Sequence, residues 1–328
     1  MKAICLKKAG EVKLRDVPEP RDAQNGHLIV EMEACAINSG DLAFIGGAFP
    51  HGSQYEMCGV SGVGKVIAIG EGVSREYEGR NVAIYRSLRF TNHIVGTWCE
   101  YSQVHHLNCV ILPDNVAPID YSGSLVNTIT PYAFIKQIRE EGHQGIICTA
   151  GNSATGLAML GMCQEFDVPL ISLVRSEKAK IELEEMDASH ILVQTDPKFE
   201  RQLQELSNQL KTTAVFDGVG GTLLGKVAKV IPQNSSIYTY GFLGGNEPLS
   251  IHTSTILMRG LTIRGFGNFT SRTVKDSEEL NRALNDINQI IHKPHFKTNL
   301  GRTFKLQEIE SALQFHSSST GKSVLLLR

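Results

Sequence analysis

The sequence predicts an α/β protein with two domains: a doubly wound parallel sheet, and a smaller, partly open β-barrel. From residue 146 onward, strand-like and helix-like stretches alternate, which is typical of a parallel sheet covered by helices. Before about residue 122 the chain consists of short β-branched runs separated by glycine-rich corners, a pattern that favours a barrel. A length of 328 residues accommodates both domains.

The barrel-like half contains apolar runs at 28–30, 63–69 and 82–84. In the second half the expected strands are 146–149, 169–174, 190–193, 213–216, 236–240 and 261–264, and the expected helices are 132–139, 177–186, 199–210, 223–230 and 280–291. The tail, 296–328, again has a pattern of mixed strands and short helices and is expected to rejoin the first domain. The predicted domains are therefore 1–122 with 267–328, and 123–266.

Composition narrows the function classes. Apolar residues make up 41% of the chain, charged residues 20%, and the formal net charge is -2, so nothing indicates a nucleic-acid surface, a basic membrane helix or a disordered tail. The N-terminal residues lack a signal-peptide core and no apolar run reaches membrane-spanning length. We expect a cytoplasmic protein whose partner is a small molecule or a second copy of itself.

The cysteines and histidines do not form a metal-binding pattern. Seven scattered cysteines, none in a Cys-x-x-Cys pair, are expected to be reduced and mostly buried. The adjacent pair His105 and His106 is expected to point in divergent directions, and His292 and His295 flank Pro294, so surface or loop positions are expected for these histidines.

The stretch 146–161 combines a buried strand, a turn of small residues and a helix. The helix N-terminus presents unpaired N–H groups and a partial positive charge, and small side chains let a pyrophosphate approach. The dinucleotide fingerprint is present as Gly-x-Ser-x-x-Gly instead of three glycines. The candidate cofactor-binding residues of this turn are Gly151, Asn152, Ser153, Ala154, Thr155 and Gly156. Such turns also join strands to helices merely to allow tight packing.

Over nearly its full length the chain resembles the medium-chain dehydrogenase/reductase superfamily, in its zinc-independent quinone oxidoreductase and enoyl-thioester reductase branch. The matching stretches, specific through their order and spacing, are 36–41, 59–66, 70–73, 96–101, 130–132, 150–156, 216–221, 238–241, 263–266 and 320–322. The resemblance implies a Rossmann domain beside a GroES-like barrel, and a nicotinamide cofactor.

The resemblance also implies that no metal is bound. Zinc alcohol dehydrogenases of this superfamily bind their catalytic zinc through a cysteine where this chain has Asn38, and through a Gly-His-Glu segment where it has 59–61. Amide and apolar side chains cannot replace thiolate and imidazole at a tetrahedral zinc site.

The choice between NADPH and NADH depends on the end of the second predicted Rossmann strand. An NAD enzyme usually has an acidic residue there to bind the ribose, whereas this chain has Arg175, with Lys178 close behind. A guanidinium can form two charge-assisted hydrogen bonds to a 2′-phosphate, so we expect NADPH. Arg175 as a solvated charge is the alternative, and Glu177 leaves NADH open. Lys322, in a turn that comes near the cofactor in several relatives, is a further candidate or a surface lysine.

Other site residues follow from the resemblance. Asn38 and Asp41 are expected to border the nicotinamide and the substrate, or else to cap a turn. Thr130 is expected to touch the nicotinamide or its ribose, or else to cap the helix that follows. Aromatic residues at strand ends can also serve only packing. The remaining expected cofactor contacts are Tyr240, Gly241, Phe242 and Phe266.

The predicted substrate class depends on one position at which this chain differs from the enoyl-thioester reductases of the branch. Enoyl-thioester reductases carry a tyrosine where this chain has Phe49, which has no proton to give. Tyr55 is the candidate catalytic residue that could donate the proton in place of the missing tyrosine. The alternative is that Tyr55 is an exposed loop residue without a catalytic role. The leading hypothesis is an NADPH-dependent reductase of quinones or α,β-unsaturated carbonyls. The alternatives are an enoyl-thioester reductase and a non-catalytic NADPH-binding protein. A homodimer through an exposed strand, 236–240 or 261–264, is expected by analogy.

Overall fold

The computed structural model describes residues 1–47, 57–89, 96–245, 247–318 and 321–327. The strands are β1 Lys2–Lys8, β2 Glu11–Asp16, β3 His27–Ala36, β4 Ser61–Ile69, β5 Asn81–Tyr85, β6 Tyr101–His105, β7 Cys109–Ile111, β8 Gly145–Cys148, β9 Leu170–Val174, β10 Ile191–Val193, β11 Thr212–Asp217, β12 Ser236–Thr239, β13 Thr262–Gly265, β14 Leu300–Lys305 and β15 Lys322–Leu326. The α-helices are α1 Ser39–Ile45, α2 Ser124–Glu140, α3 Ala154–Phe166, α4 Glu177–Glu184, α5 Phe199–Gln209, α6 Gly221–Val230, α7 Thr253–Arg259, α8 Arg272–Lys275, α9 Ser277–Ile290 and α10 Ile309–Ser318. Within these described ranges, no helix is both long and apolar enough to cross a membrane.

The chain divides into two compact units. Unit 1 comprises Met1–Asn127 and Leu280–Arg328, and unit 2 comprises Thr128–Glu279. The first boundary falls five residues further along the chain than the sequence predicts (127 against 122), and the second thirteen residues further (279 against 266).

Unit 1 is built on a mixed sheet with the order β14-β15-β3-β4-β5-β7, and β6 also pairs with β3. β1 and β2 form a separate antiparallel hairpin. The tail rejoins this unit as expected, because β15 pairs antiparallel with β3, with Val324 opposite Ala36. Apolar side chains of these strands surround Trp98, which is completely buried.

Unit 2 contains the predicted parallel sheet, with the order β10-β9-β8-β11-β12-β13 and parallel pairing throughout. Chain order reverses between β8 and β11, so the carboxyl ends of these two strands form the switch point where ligands of such sheets bind. Of the two stretches named as the exposed strand, 236–240 is not an edge, since β12 lies between β11 and β13. The edge strand on this side is β13.

Helix α2 begins eight residues earlier than the expected start at Tyr132, and it continues through Pro131. Proline removes one helical hydrogen bond, which is why the sequence suggests a start after it. The buried side chains of Leu125 and Ile129 before the proline, and of Phe134 after it, hold both halves of the helix in apolar surroundings. Thr130 therefore lies inside the helix and does not cap it.

The histidine expectations are partly wrong. The rings of His105 and His106 do not diverge but stack, with their centroids 4.5 Å apart. His106 turns back because its Nδ1 lies 2.9 Å from the carbonyl oxygen of Gly26, within hydrogen-bond distance. His295 is buried, whereas the sequence suggests a surface or loop position. The cysteine prediction is confirmed, since all seven cysteines are free and buried.

Candidate active site

The turn that joins β8 to α3 is packed as closely as glycine permits. Ser153 caps α3, and its Oγ accepts a hydrogen bond from the backbone N–H of Gly156 at 3.1 Å. A Cβ atom on Gly156 would lie 2.4 Å from the carbonyl oxygen of Gly151, so no other residue fits without moving backbone. Ala150 adopts a φ of 52°, which turns the chain sharply after the strand. The first amides of the 13-residue helix α3 thus stand over a turn without bulky side chains.

Two cations lie at the end of the neighbouring strand. Arg175 follows β9 directly and Lys178 lies in the first turn of α4, whose N-cap is Ser176. Both side chains are exposed, and neither forms an ion pair within the part of the chain that the structure describes. Their charges are therefore available for an anionic ligand.

A second turn of small residues follows β11. The buried Asp217 carboxylate accepts hydrogen bonds from Thr149 Oγ1 at 2.7 Å and from the backbone N–H of Gly220 at 3.0 Å. Thr149 Oγ1 in turn accepts from the N–H of Gly218 at 2.9 Å. Burial raises the pKa of Asp217, and these hydrogen bonds oppose the rise. The contacts tie the ends of the two switch-point strands together. Neither Asp217 nor Thr149 is among the site residues predicted from the sequence. The sequence feature that could have identified them is a polar residue at the end of each apolar strand.

The residues after β12 differ in exposure. The Tyr240 ring stacks on Phe216 with a centroid distance of 3.8 Å, while Phe242 is 76% exposed. A Cβ atom on Gly218 would meet the Tyr240 hydroxyl, so this tyrosine lies directly on the Asp217 turn. Burial raises the pKa of the Tyr240 hydroxyl well above its usual value, which keeps it protonated. Gly241 lies between these two aromatic residues in the chain, and Tyr240 is the one that packs against a core side chain, Phe216.

Phe266 and Thr130 lie on neighbouring parts of unit 2. Phe266 is buried and packs edge-on against Phe134, with a centroid distance of 5.2 Å. Thr130 Oγ1 accepts a hydrogen bond from the buried Asn268 side chain at 3.1 Å. Asn268 is a residue that the sequence analysis missed, because an asparagine after a short strand carries no motif of its own.

In unit 1, Asn38 and Asp41 form a reciprocal turn at the start of α1. Asn38 is the N-cap residue, and the Asp41 carboxylate accepts from its backbone N–H at 2.8 Å. The other Asp41 oxygen accepts from the backbone N–H of Val60, also at 2.8 Å. The Asn38 amide nitrogen donates to Ser61 Oγ at 2.8 Å, and Ser61 Oγ donates to the Ser122 carbonyl at 3.0 Å. The two predicted residues therefore do cap a turn, and the turn is anchored to β4.

The structure also brings Lys322 to this turn. Its Nζ donates to Asn38 Oδ1 at 2.5 Å, over 284 positions of sequence separation. Lys322 is the first residue of β15, which pairs beside β3 and so delivers the side chain to the end of that strand. Asn38, Asp41 and Lys322 thus form one cluster, which we call the lysine cluster.

Burial perturbs both ionisable groups of the lysine cluster. It raises the pKa of Asp41 to about 6, against the opposing effect of its hydrogen bonds and of Arg86. It lowers the pKa of Lys322 to about 8, against the opposing charge of Asp41. Two groups that titrate near neutral pH lie together, an arrangement typical of sites that move protons.

The titration of Asp41 leads to a testable prediction. Because its folded-state pKa lies above the unfolded value, its contribution to stability is complete below pH about 4 and is lost as the pH rises through about 6. The change amounts to at most about 3 kcal/mol, from two pKa units. We expect the free energy of unfolding of the wild type, minus that of Asp41→Asn, to fall over this range in urea titrations. A constant difference would contradict the buried, titrating carboxyl.

Zinc alcohol dehydrogenases carry zinc ligands at the positions of Asn38 and Val60, and in this chain the groups at these positions do not suit zinc. The Asn38 amide nitrogen is already used in hydrogen bonds, and Val60 contributes only a backbone N–H. In the described ranges, no group of three or more histidine, cysteine, aspartate or glutamate side chains could hold a metal ion. Tyr55, the predicted alternative proton donor, lies outside the described residues, as does Phe49.

Comparisons with known proteins agree with this architecture. Residues 24–114 match the alcohol dehydrogenase GroES-like domain. The mitochondrial enoyl-[acyl-carrier-protein] reductase of Caenorhabditis elegans is 24% identical over 300 residues, which cover 88% of this chain and 84% of that protein.

Two solved structures share the fold. The quinone oxidoreductase of Escherichia coli, solved in complex with NADPH, has a TM-score of 0.77 and 18% identity, covering 99% of this chain and 100% of that one. A mutant form of the enoyl thioester reductase of Candida tropicalis also has a TM-score of 0.77 and 18% identity, covering 99% of each chain. Together with the glycine-lined turn, these findings show that the chain contains an alcohol dehydrogenase GroES-like domain and shares the fold of the E. coli quinone oxidoreductase and the C. tropicalis enoyl thioester reductase, in agreement with the resemblance.

Proposed function

We propose that the protein is an NADPH-dependent oxidoreductase that reduces quinones or α,β-unsaturated carbonyls. The observation that carries this proposal is that unit 2 combines a glycine-lined turn at the N-terminus of α3 with two exposed cations, Arg175 and Lys178, after the next strand. The turn suits a pyrophosphate, and the cations suit a 2′-phosphate that NADH lacks. The NADPH complex of the related E. coli structure supports the same assignment.

Apart from Lys322, each predicted cofactor residue has a role in this proposal. The turn 151–156 would hold the pyrophosphate, and Arg175 with Lys178 would hold the 2′-phosphate. Thr130, Tyr240, Gly241, Phe242 and Phe266 would line the rest of the nicotinamide nucleotide. Bound NADPH supplies a hydride, so the protein's own task is to orient the electrophile and to stabilise the charge that develops on its oxygen.

Quinones are favoured as substrates because their reduced product needs little help from the protein. The oxyanion of a hydroquinone is delocalised over an aromatic ring, whereas an enoyl thioester gives a far more basic enolate that needs a nearby acid. Phe49 occupies the position where enoyl-thioester reductases of this branch carry tyrosine. Asn38 and Asp41 remain the proposed residues next to the substrate.

A second candidate function is the reduction of enoyl thioesters. The curated relatives from Caenorhabditis elegans and Dictyostelium discoideum, 24% and 25% identical over 88% and 92% of this chain, are both enoyl-[acyl-carrier-protein] reductases. This function requires a proton donor, and Phe49 cannot serve as one.

Titration followed by turnover tests the proposal. We expect protein fluorescence to report tighter binding of NADPH than of NADH, and a benzoquinone or an enone to consume NADPH faster than a crotonyl thioester does. Preference for the thioester would establish the second candidate. NADPH binding without oxidation by any of the three would indicate a non-catalytic nucleotide-binding protein, and tighter NADH binding would refute the cofactor assignment.

We also propose a homodimer formed through β13. This strand ends the sheet, and within the described residues no strand pairs with its outer side. Leu257 and Met258 of the adjoining α7 are 77% and 74% exposed. A second copy would cover the edge and these side chains.

Charge placed on this surface is expected to separate the dimer. In sedimentation velocity, we expect the wild type to sediment as a dimer and the double variant Leu257→Asp, Met258→Asp as a monomer. Ile67→Asp, at another exposed apolar position in unit 1, is the control and should stay dimeric. A monomeric wild type would refute the proposed dimer.

A cytoplasmic location remains part of the proposal. Its support is the set of seven free, buried cysteines, which suits a reducing compartment. Fluorescence microscopy of the tagged protein tests it, and import into an organelle would contradict it.

A further inference from the structure

The Lys322 ammonium of the lysine cluster can donate more hydrogen bonds than it forms with the described residues. A lysine ammonium carries three N–H groups. Within the described residues, Lys322 Nζ has one hydrogen-bond acceptor, Asn38 Oδ1. Two N–H groups of a half-buried cation are therefore left for solvent or a ligand.

A chain of hydrogen bonds fixes where this ammonium lies. The Asn38 amide cannot rotate without losing its bond to Ser61 Oγ, so its oxygen faces Lys322. Asp41 holds the backbone of Asn38 and is itself tied to the N–H of Val60. The position of the amine is thus fixed by its contact with Asn38, which β4 and the start of α1 hold in place, although the lysine side chain itself is flexible.

The neighbouring backbone leaves just enough space for the lysine stem. A Cβ atom on Gly123 would lie 3.4 Å from Lys322 Cδ and 3.6 Å from Asn38 Oδ1. On the other side, β14 places Leu300 opposite Lys322. Among the described residues, the charges that act on this cluster are Asp41 on α1 and, through Asp41, Arg86 after β5.

We propose that Lys322 is the proton donor of the reduction, with Asn38 and Asp41 as positioning residues. The inference rests on the proposed function, in which NADPH delivers a hydride to the electrophile. The electron pair displaced by that hydride moves to the carbonyl oxygen of the substrate. An N–H bond of Lys322 then breaks, an O–H bond forms at this oxygen, and the neutral amine regains its proton from water.

This assignment resolves the absence of a tyrosine at position 49. A general acid works best when its pKa lies near the working pH, and burial brings the pKa of Lys322 to about 8. An exposed lysine would hold its proton too tightly. The buried surroundings of the cluster convert an ordinary cation into an acid suited to neutral pH.

The test separates proton donation from cofactor binding. For Lys322→Met at pH 7, with an enone as the substrate, we expect kcat to fall about 100-fold or more, as for loss of a general acid, with the Kd for NADPH changed less than about threefold. Wild-type kcat should decline as the pH rises through about 8, the pKa of the donor. Lys322→Arg should keep the charge, lose most of the rate and lack this decline, because the guanidinium does not deprotonate in that range.

Controls distinguish the alternatives. Lys13→Met, at an exposed lysine of β2, should behave as wild type. The urea midpoint of Lys322→Met should not fall, because replacing a half-buried cation by an apolar side chain of similar length relieves a desolvation cost. A lowered midpoint with unchanged kcat would show a structural lysine, and a raised NADPH Kd with unchanged kcat would show a cofactor contact. Either result overturns the proposal while the proposed function stands. A wild type that oxidises no NADPH refutes the proposed function, and this inference with it.

Discussion

Replacing Arg175 by alanine is expected to weaken NADPH binding by about 2 to 3 kcal/mol, roughly 30- to 150-fold, as for loss of charge-assisted hydrogen bonds. NADH binding should change little, because NADH has no 2′-phosphate. The structure supports this expectation, since Arg175 is exposed at the end of β9 and forms no ion pair with any described residue. Fluorescence titration with both nucleotides gives the two Kd values.

The control for Arg175 is Arg21→Ala, which removes an exposed arginine from unit 1. It should leave both Kd values unchanged. Equal weakening of NADPH and NADH in Arg175→Ala would place the guanidinium at a group that both nucleotides share. No weakening at all would show a solvated charge. The double variant with Lys178→Ala should lose more NADPH affinity than the single variant, and its remaining affinity should depend less on salt.

Replacing Gly156 by valine is expected to abolish nucleotide binding and to destabilise unit 2 by about 3 kcal/mol, as for severe overpacking. The new Cβ would lie 2.4 Å from the carbonyl oxygen of Gly151 and 2.5 Å from that of Ala150. Both contacts are with backbone, so no side-chain rotation relieves them. The turn must open, and the α3 amides then lose their position above it. Urea unfolding and NADPH titration measure the two effects.

A glycine with space for a Cβ atom provides the matched control for Gly156. A Cβ atom on Gly267, which lies outside β13, would meet only Thr270 Oγ1 at 3.7 Å, an ordinary contact distance, so Gly267→Ala should unfold at the wild-type urea concentration. Gly156→Ala should lie between the control and Gly156→Val in stability. A Gly156→Val variant that binds NADPH with wild-type affinity would contradict the proposed pyrophosphate site.

Much of unit 2 was predictable from local pattern. Its strands are short apolar runs and its turns carry small or polar residues, so β9, β11 and α6 occur within one or two residues of their expected bounds. Helix α2 was predicted less well. Proline at position 131 argues locally for a helix start, but the burial of the side chains on both sides of it outweighs the one lost hydrogen bond.

In the candidate site, too, some features follow from local sequence and others only from tertiary contacts. The sequence alone determined that small residues follow the first Rossmann strand, that Arg175 and Lys178 follow the second, and that Asn38 and Asp41 are spaced to cap a turn, because each feature depends on neighbours in the chain. Only the tertiary structure decided that β13 and not β12 forms the sheet edge, and that Lys322 reaches Asn38. Strand order and β15 pairing depend on contacts between residues far apart in sequence. The lowered pKa of Lys322 depends on how many such contacts exclude water from it.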